Sequence, residues 1–173
     1  MALNLIKEYS NLLELVHLTE QGRKESLKAI FKRDIEENLN FKFKNKQIRP
    51  IKKSDGISSL ETLFTHLTTE DDHSSSIGKR RFEIDRSNRL HWIKFHIEER
   101  IPDQIQIFSV LDRTAGNNRK RTYIYDKEKK YVIILELQRS GNDYYLITAY
   151  YLNKKEGVKQ IEKKYKNKLD HIF

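Results

Sequence analysis

Arg119-Lys120-Arg121-Thr122-Tyr123-Ile124-Tyr125, followed by Tyr131-Val132-Ile133-Ile134-Leu135-Glu136-Leu137 and then by Asp143 to Leu152, is the stretch whose reading decides the fold. β-Branched and aromatic side chains dominate all three segments, the composition that suits a pleated, partly buried surface. The connectors Asp126-Lys127-Glu128-Lys129 and Ser140-Gly141-Asn142 are too short for a crossover helix, so the three strands run as an antiparallel meander. Period two places Arg119, Arg121, Tyr123 and Tyr125 on one face of the first strand, and Lys120, Thr122 and Ile124 on the other.

Upstream of the meander, Ile105 to Leu111 is apolar enough for a further strand, with Arg113 to Asn118 as a polar turn or loop. Asp85 to Ile97 predicts a helix with Asp85 as N-cap, Leu90, Ile93 and Ile97 on its apolar stripe, and Pro102 at or beyond its stop. Downstream, Val158, Ile161, Tyr165, Leu169 and Ile172 recur at helical spacing, with lysines on the outer side. The expected fold class is therefore α+β: an antiparallel β-meander packed against helices, covered on one face by the 85–97 helix and parts of the terminal helices.

In the first half, Leu5, Tyr9, Leu12, Leu13 and Val16, then Leu27, Ile30, Phe31, Ile35 and Leu39, predict an antiparallel helix pair broken near Gly22. Phe41 to Ile51 alternates weakly, as a short edge strand or loop does. Ser58 and Glu61 have capping-box spacing ahead of Leu60, Leu63, Phe64 and Leu67, predicting a short helix. Thr68 to Gly78 reads as a loop, dividing a mainly helical region at 1–78 from an α+β domain at 79–173.

The formal net charge is +9, from 34 Lys and Arg against 25 Asp and Glu, a surplus that favours nucleic acid or an acidic partner protein without choosing between them. Cysteine is absent, which excludes disulfide and thiolate chemistry. Met1 to Ile6 lacks a basic start followed by a long apolar core, and no apolar run approaches the roughly 20 residues that cross a bilayer. The expectation is a cytoplasmic protein without a membrane partner. Six histidines are scattered without metal-ligand spacing, Asp71-Asp72-His73 falls in loop-like sequence, and no phosphate-cradling or dinucleotide glycine motif is present, so neither metal nor cofactor is expected.

At about 100° per residue, Arg89 and His96 nearly superpose on the 85–97 helix, with Trp92 bordering the same side and Arg86 near the apolar stripe. A guanidinium can hold two non-bridging phosphate oxygens, and an imidazole can move a proton near neutral pH. Either residue could equally serve a structural contact. His91, on the opposite flank with Lys94, would meet solvent or a second nucleic-acid strand and is the reserve acid or base. Glu136 shares a face with Val132 and Ile134, so it needs a partner or a cleft: it is a general base, a group that orients Arg or His, or one half of a salt bridge. Thr148 and Tyr150 share a face with Tyr144 and Leu146 and supply hydroxyl donors. Arg119, Arg121, Tyr123 and Tyr125 form a face that can contact phosphates and stack bases, or the wet face of a half-buried sheet.

From Phe82 to Tyr151 the sequence resembles the barnase, EndoU, colicin and RelE-like group of small RNases, especially the phage- and mobile-element-associated branches. The similarity rests on Arg86-x-x-Arg89-Leu90-x-Trp92-Ile93, on His96-Ile97-x-x-Arg100-x-Pro102-x-x-Ile105, and on the close in Thr148-Ala149-Tyr150. The resemblance implies an RNase-toxin-like fold and metal-independent endoribonuclease activity by attack of a ribose 2′-hydroxyl on the adjacent phosphate. It matches His96, Arg121 and Thr148 to catalytic positions; the reading of the residues adds Arg89 and Glu136 to the catalytic set, with Arg86, His91, Arg119, Tyr123 and Tyr150 contacting the substrate. Ile101 stands where related toxins often carry a histidine, a departure from a two-histidine mechanism. RNA is the expected partner, with an acidic antitoxin or immunity protein as inhibitor. The alternative is a non-catalytic RNA-binding or protein-interaction module presenting Arg121, Tyr123 and Tyr125.

Overall fold

The computed structural model describes residues 2–51, 57–72, 74, 78–98 and 105–173. The helix stop at Pro102, the Arg100-Ile101 part of the resemblance and His73 lie outside the described residues. Four long strands carry the architecture: β5 (Ile105–Thr114), β6 (Asn117–Asp126), β7 (Tyr131–Leu137) and β8 (Tyr144–Tyr151), consecutive and antiparallel. Upstream, β1 (Lys42–Phe43) and β2 (Lys46–Arg49) form a small hairpin, and β2 pairs with Tyr144 and Tyr145 of β8 in the parallel sense. The sheet order is β1-β2-β8-β7-β6-β5. The meander is as expected, and the parallel β2 makes the whole sheet mixed.

Local chemistry explains the turns. Ala115 and Gly116 link β5 to β6 with φ of 48° and 79°, the double positive φ of a type I′ turn whose twist matches that of the strands. At Ile134/Leu135 the β7–β8 register shifts: Ile134 faces Thr148 while Leu135 faces Leu146, so Ile147 is an extra, bulged residue. The bulge corrects the expected alternation. Tyr144 and Leu146 point into the larger core, whereas Thr148 and Tyr150 emerge on the opposite face, because one inserted residue reverses every side chain beyond it.

Helices cover both faces. On one, Ile124, Ile133, Leu135 and Ala149 pack with α2 (Glu20–Phe31), α3 (Ser59–Thr68) and α5 (Trp92–Ile97). On the other, Phe108, Tyr123, Tyr125 and Val132 pack beneath Ile161 and Val158 of α6 (Lys155–Lys166). Covering the meander on one face alone was the expectation; α6 adds the second layer. It ends earlier than its apolar spacing suggested, because the chain leaves the helix to let the Leu169 amide donate to the Ser109 carbonyl at 2.8 Å.

Three other helical expectations are revised. The first helix of the predicted pair is only α1 (Ala2–Leu5); beyond it the chain is non-helical and Leu13 and Leu15 are buried. Asn4 clamps that segment, accepting from the Glu14 amide at 2.8 Å and donating to the Glu14 carbonyl and the Ser26 hydroxyl. The 85–97 helix is two pieces, α4 (Ile84–Ser87) and α5, and Glu83 rather than Asp85 caps the first through the amides of Asp85 and Arg86. Between them the amides of Leu90, Trp92 and Ile93 bond three residues back, a tighter winding than an α-helix. Finally, α3 forms without a side-chain cap from Ser58, and Thr69–Asp71 (β3) pairs with Arg80–Phe82 (β4) where a loop was expected.

Candidate nucleic-acid interface

The chain is tightly wound at 88–91, and Arg89 and His96 both border Trp92, the guanidinium 5.2 Å and the imidazole 6.2 Å from its ring centre. His96 is 0 % exposed, ringed by Tyr9, Trp92 and Tyr131. Its Nδ1 lies 2.7 Å from the Trp92 carbonyl and its Nε2 lies 3.1 Å from Asp126, so both nitrogens face acceptors. Tyr9 donates to the same Asp126 oxygen at 2.7 Å. Burial alone raises the Asp126 pKa, but hydrogen bonds from His96, the Lys129 amide and Tyr9 outweigh it and hold the carboxyl below its ordinary value. This network ties the N-terminal segment and α5 to the end of β6; it presents nothing to a substrate.

The other helix-borne candidates also take structural places. His91 is fully buried, among the described residues neither ring nitrogen has a hydrogen bond, and burial pushes its pKa down to about 4 despite nearby carbonyls of Glu8 and Asn11. The solvent-facing position expected for it is not observed. Arg89 donates to the Asp85 carbonyl and Asn88, and its guanidinium lies 4.0 Å from the Tyr151 ring centre. Arg86 donates to the carbonyls of His66 and Thr69 and borders a cleft with Thr148 and Tyr150. Arg89, His96 and Thr148 do not meet in one cleft.

On the meander, the expected Arg/Tyr face is cut in two by α6. Tyr123 and Tyr125 are each 1 % exposed beneath the helix and unavailable for stacking. Tyr123 stacks on Phe108 and donates to Asp112, and burial followed by that bond pushes its pKa up. Beyond the helix, a charged ladder crosses the strands. Lys164 of α6 and Arg121 of β6 (Nη1, 3.7 Å) flank Asp112 of β5; Arg121 then reaches Glu136 of β7 through Nε at 3.3 Å, and Arg119 approaches the same carboxylate at 3.4 Å. Burial raises the Asp112 pKa, but the bonds from Lys164 and Tyr123, with the field of Arg121, hold it below its ordinary value. Both acids of this end of the sheet are thereby neutralised.

The register continues the row to β8, where Glu136 stands opposite Tyr145. Tyr145 is half-buried, and among the described residues its ring stacks on no other aromatic and its hydroxyl makes no hydrogen bond. It borders a cleft of about 730 Å³ with Arg119, Lys120, Glu136, Arg139 and the amides of Asn117, Asn118 and Gln138. The cleft combines an aromatic platform, cations and paired donor-acceptor amides, the groups that hold unpaired bases and phosphates. Arg119, Arg121 and Glu136 were legible as candidates. Tyr145, Arg139 and the amides were not; the available signal was that Tyr145 must face away from Tyr144.

Among the described residues no group of three His, Cys, Asp or Glu side chains could hold a metal ion, and no helix is long and apolar enough to cross a membrane. Comparison with known proteins found no matching family model, no matching curated protein and no matching solved structure.

Proposed function

We propose that this protein binds single-stranded RNA in the cleft bordered by Tyr145, Arg119 and Arg139. The observation that carries the reading is the placement of Tyr145 at the end of the Arg121–Glu136 row, on the part of the sheet face that α6 leaves open. A base stacks on the Tyr145 ring, the cations take the flanking phosphates, and the three amides meet base edges. The ladder supports this by cancelling Asp112 and Glu136, so the cations at the rim set the field.

RNA cleavage is a second reading, favoured by Glu136, a carboxylate within 3.4 Å of two guanidiniums in the same cleft. In an endoribonuclease Glu136 would take the 2′-hydroxyl proton while Arg119 and Arg121 held the phosphate. Both arginines are already engaged with Glu136, so neither can hold a phosphate without leaving that carboxylate, which favours binding over cleavage.

Fluorescence anisotropy with short labelled single-stranded RNA, RNA duplex and single-stranded DNA tests the proposal. Tyr145→Ala should weaken single-strand binding about tenfold or more, and Arg139→Ala should weaken it while lowering the salt slope by about one. Unchanged affinity in both variants would remove the cleft from consideration. Competition by an acidic protein but not by RNA would favour a protein partner. Chelator-resistant product on a denaturing gel, lost in Glu136→Gln, would establish the cleavage reading instead.

A further inference from the structure

A second cleft lies on the other side of β8 and has different chemistry. It measures about 510 Å³, within the range that takes small organic ligands, and runs between α3, the β3–β4 hairpin and the bulged part of β8. Ile51, Leu63, Leu146 and Ile147 supply apolar wall, and Thr62 and Thr148 supply hydroxyls. The parallel strand β2 pairs with β8 only at Tyr144 and Tyr145, so the bulge and the residues after it border this cleft and not another strand.

Arg86 is the pole of the cleft. Among the described residues no carboxylate lies within ion-pair distance of its guanidinium, although burial lowers its pKa. Nη1 is committed to the His66 and Thr69 carbonyls, at 2.7 and 2.9 Å. Among the described residues neither Nε nor Nη2 has a hydrogen-bond partner; Nε is sealed from solvent, Nη2 is not, and the guanidinium lies 5.5 Å from the Tyr150 ring centre. Neighbouring Arg80 is, by contrast, fully used: Nε donates to the Thr69 hydroxyl, Nη1 to Asp71 and Nη2 to the Thr69 carbonyl. A guanidinium with a solvent-reachable, unbonded nitrogen therefore shares the cleft with an apolar wall, and the carboxylates of Glu70 and Asp71, paired with Arg81 and Arg80, are also on the rim.

We infer that this cleft binds a small organic monocarboxylate, its carboxylate on Arg86 and its hydrocarbon body against Leu63 and Ile147. A single negative charge matches the single positive charge of the Arg86 guanidinium, which no carboxylate pairs among the described residues. A dianionic phosphate would need a second available cation, and Arg80, the other one on the cleft, is already engaged with Thr69 and Asp71. The apolar wall gives hydrocarbon a gain that inorganic anions lack.

Titration of the full chain with sodium octanoate, followed by calorimetry and by amide chemical shifts, tests the assignment. Saturable one-to-one binding is expected, weaker by about ten- to a hundredfold in Arg86→Met, since a charged hydrogen bond is lost. Because Arg86 also holds two carbonyls, Thr62→Glu provides a variant on the helix surface that leaves those bonds intact and sets a carboxylate on the rim; it should weaken octanoate about tenfold or more. Tyr145→Ala should bind octanoate as the wild type does, which separates this site from the RNA cleft. Octanol binding as tightly as octanoate, inorganic phosphate displacing octanoate at lower concentration, or Thr62→Glu binding like the wild type would each overturn the assignment.

Discussion

Glu136 stands directly across the β6–β7 pairing from Arg121 and accepts from its Nε at 3.3 Å, with Tyr145 next along the same row. Removing Arg121 would leave two carboxylates, Asp112 and Glu136, without the cation between them. Arg121→Ala is expected to lower unfolding free energy by about 2 kcal/mol, and to weaken RNA binding by removing the positive surplus of the ladder. Urea unfolding and anisotropy on the same sample measure both; an unchanged midpoint would show that the ladder contributes nothing to stability.

Burial of His91 predicts an acid limb of stability with a defined window. Its pKa falls from an unfolded value of about 6.5 to about 4 in the fold, so the unfolded chain takes up a proton first as pH falls. Stability is full above pH 6.5 and declines toward pH 4, by on the order of 3 kcal/mol. His91→Phe, which keeps an aromatic ring beside Trp92 and Phe95, should flatten the slope in that window. A slope of equal size in the variant would assign it to other groups.

Asp112 and Asp126 titrate in a lower window. Both carboxyls are held below their ordinary value, so the stability each contributes is present above the unfolded carboxylate range and is lost as pH falls through the folded value. Asp126→Asn should therefore reduce the loss of stability below about pH 4, without altering the slope that His91 produces above it. Unfolding curves at several pH values distinguish the two.

His96 serves the fold in this structure. His96→Ala leaves the Asp126 carboxylate buried without its imidazole and should cost about 3–5 kcal/mol, whereas Tyr9→Phe removes one hydrogen bond and should cost about 1 kcal/mol. RNA affinity of the folded fraction should stay within about twofold of the wild type, because neither residue borders the cleft. Loss of affinity in a still-folded His96 variant would return the residue to the functional site.

Ala115 occupies the first central position of the β5–β6 turn at φ 48°, where a Cβ is strained. Ala115→Asn or Ala115→Gly should raise stability by about 0.5–1 kcal/mol, and Gly116→Ala, at φ 79°, should lower it by a similar amount. Thermal melts of the three variants suffice, and the opposite order would exclude the type I′ assignment.

The sequence by itself determined the meander and its neighbours: the strands at β5 to β8, the short α3 and the start of α6. Alternation and turn chemistry act over a few residues and do not wait for distant partners. Arg119, Arg121 and Glu136 were legible as candidates for the same reason, since period two sorts them by face; that they pair with one another was not.

Tertiary structure alone decided which candidates meet. The segment from Leu5 to Val16 has helical spacing, yet Asn4 clamping Glu14 and Tyr9 reaching Asp126 hold it out of a helix. The partners of His96, the Trp92 carbonyl and Asp126, seal it from solvent, the bulge at Ile147 turns Thr148 away from the face shared by Tyr144 and Leu146, and α6 buries Tyr123 while leaving Tyr145 open. Each is a choice among conformations of similar local free energy, settled by burial and hydrogen bonds between residues far apart in the chain, which a periodic pattern does not encode.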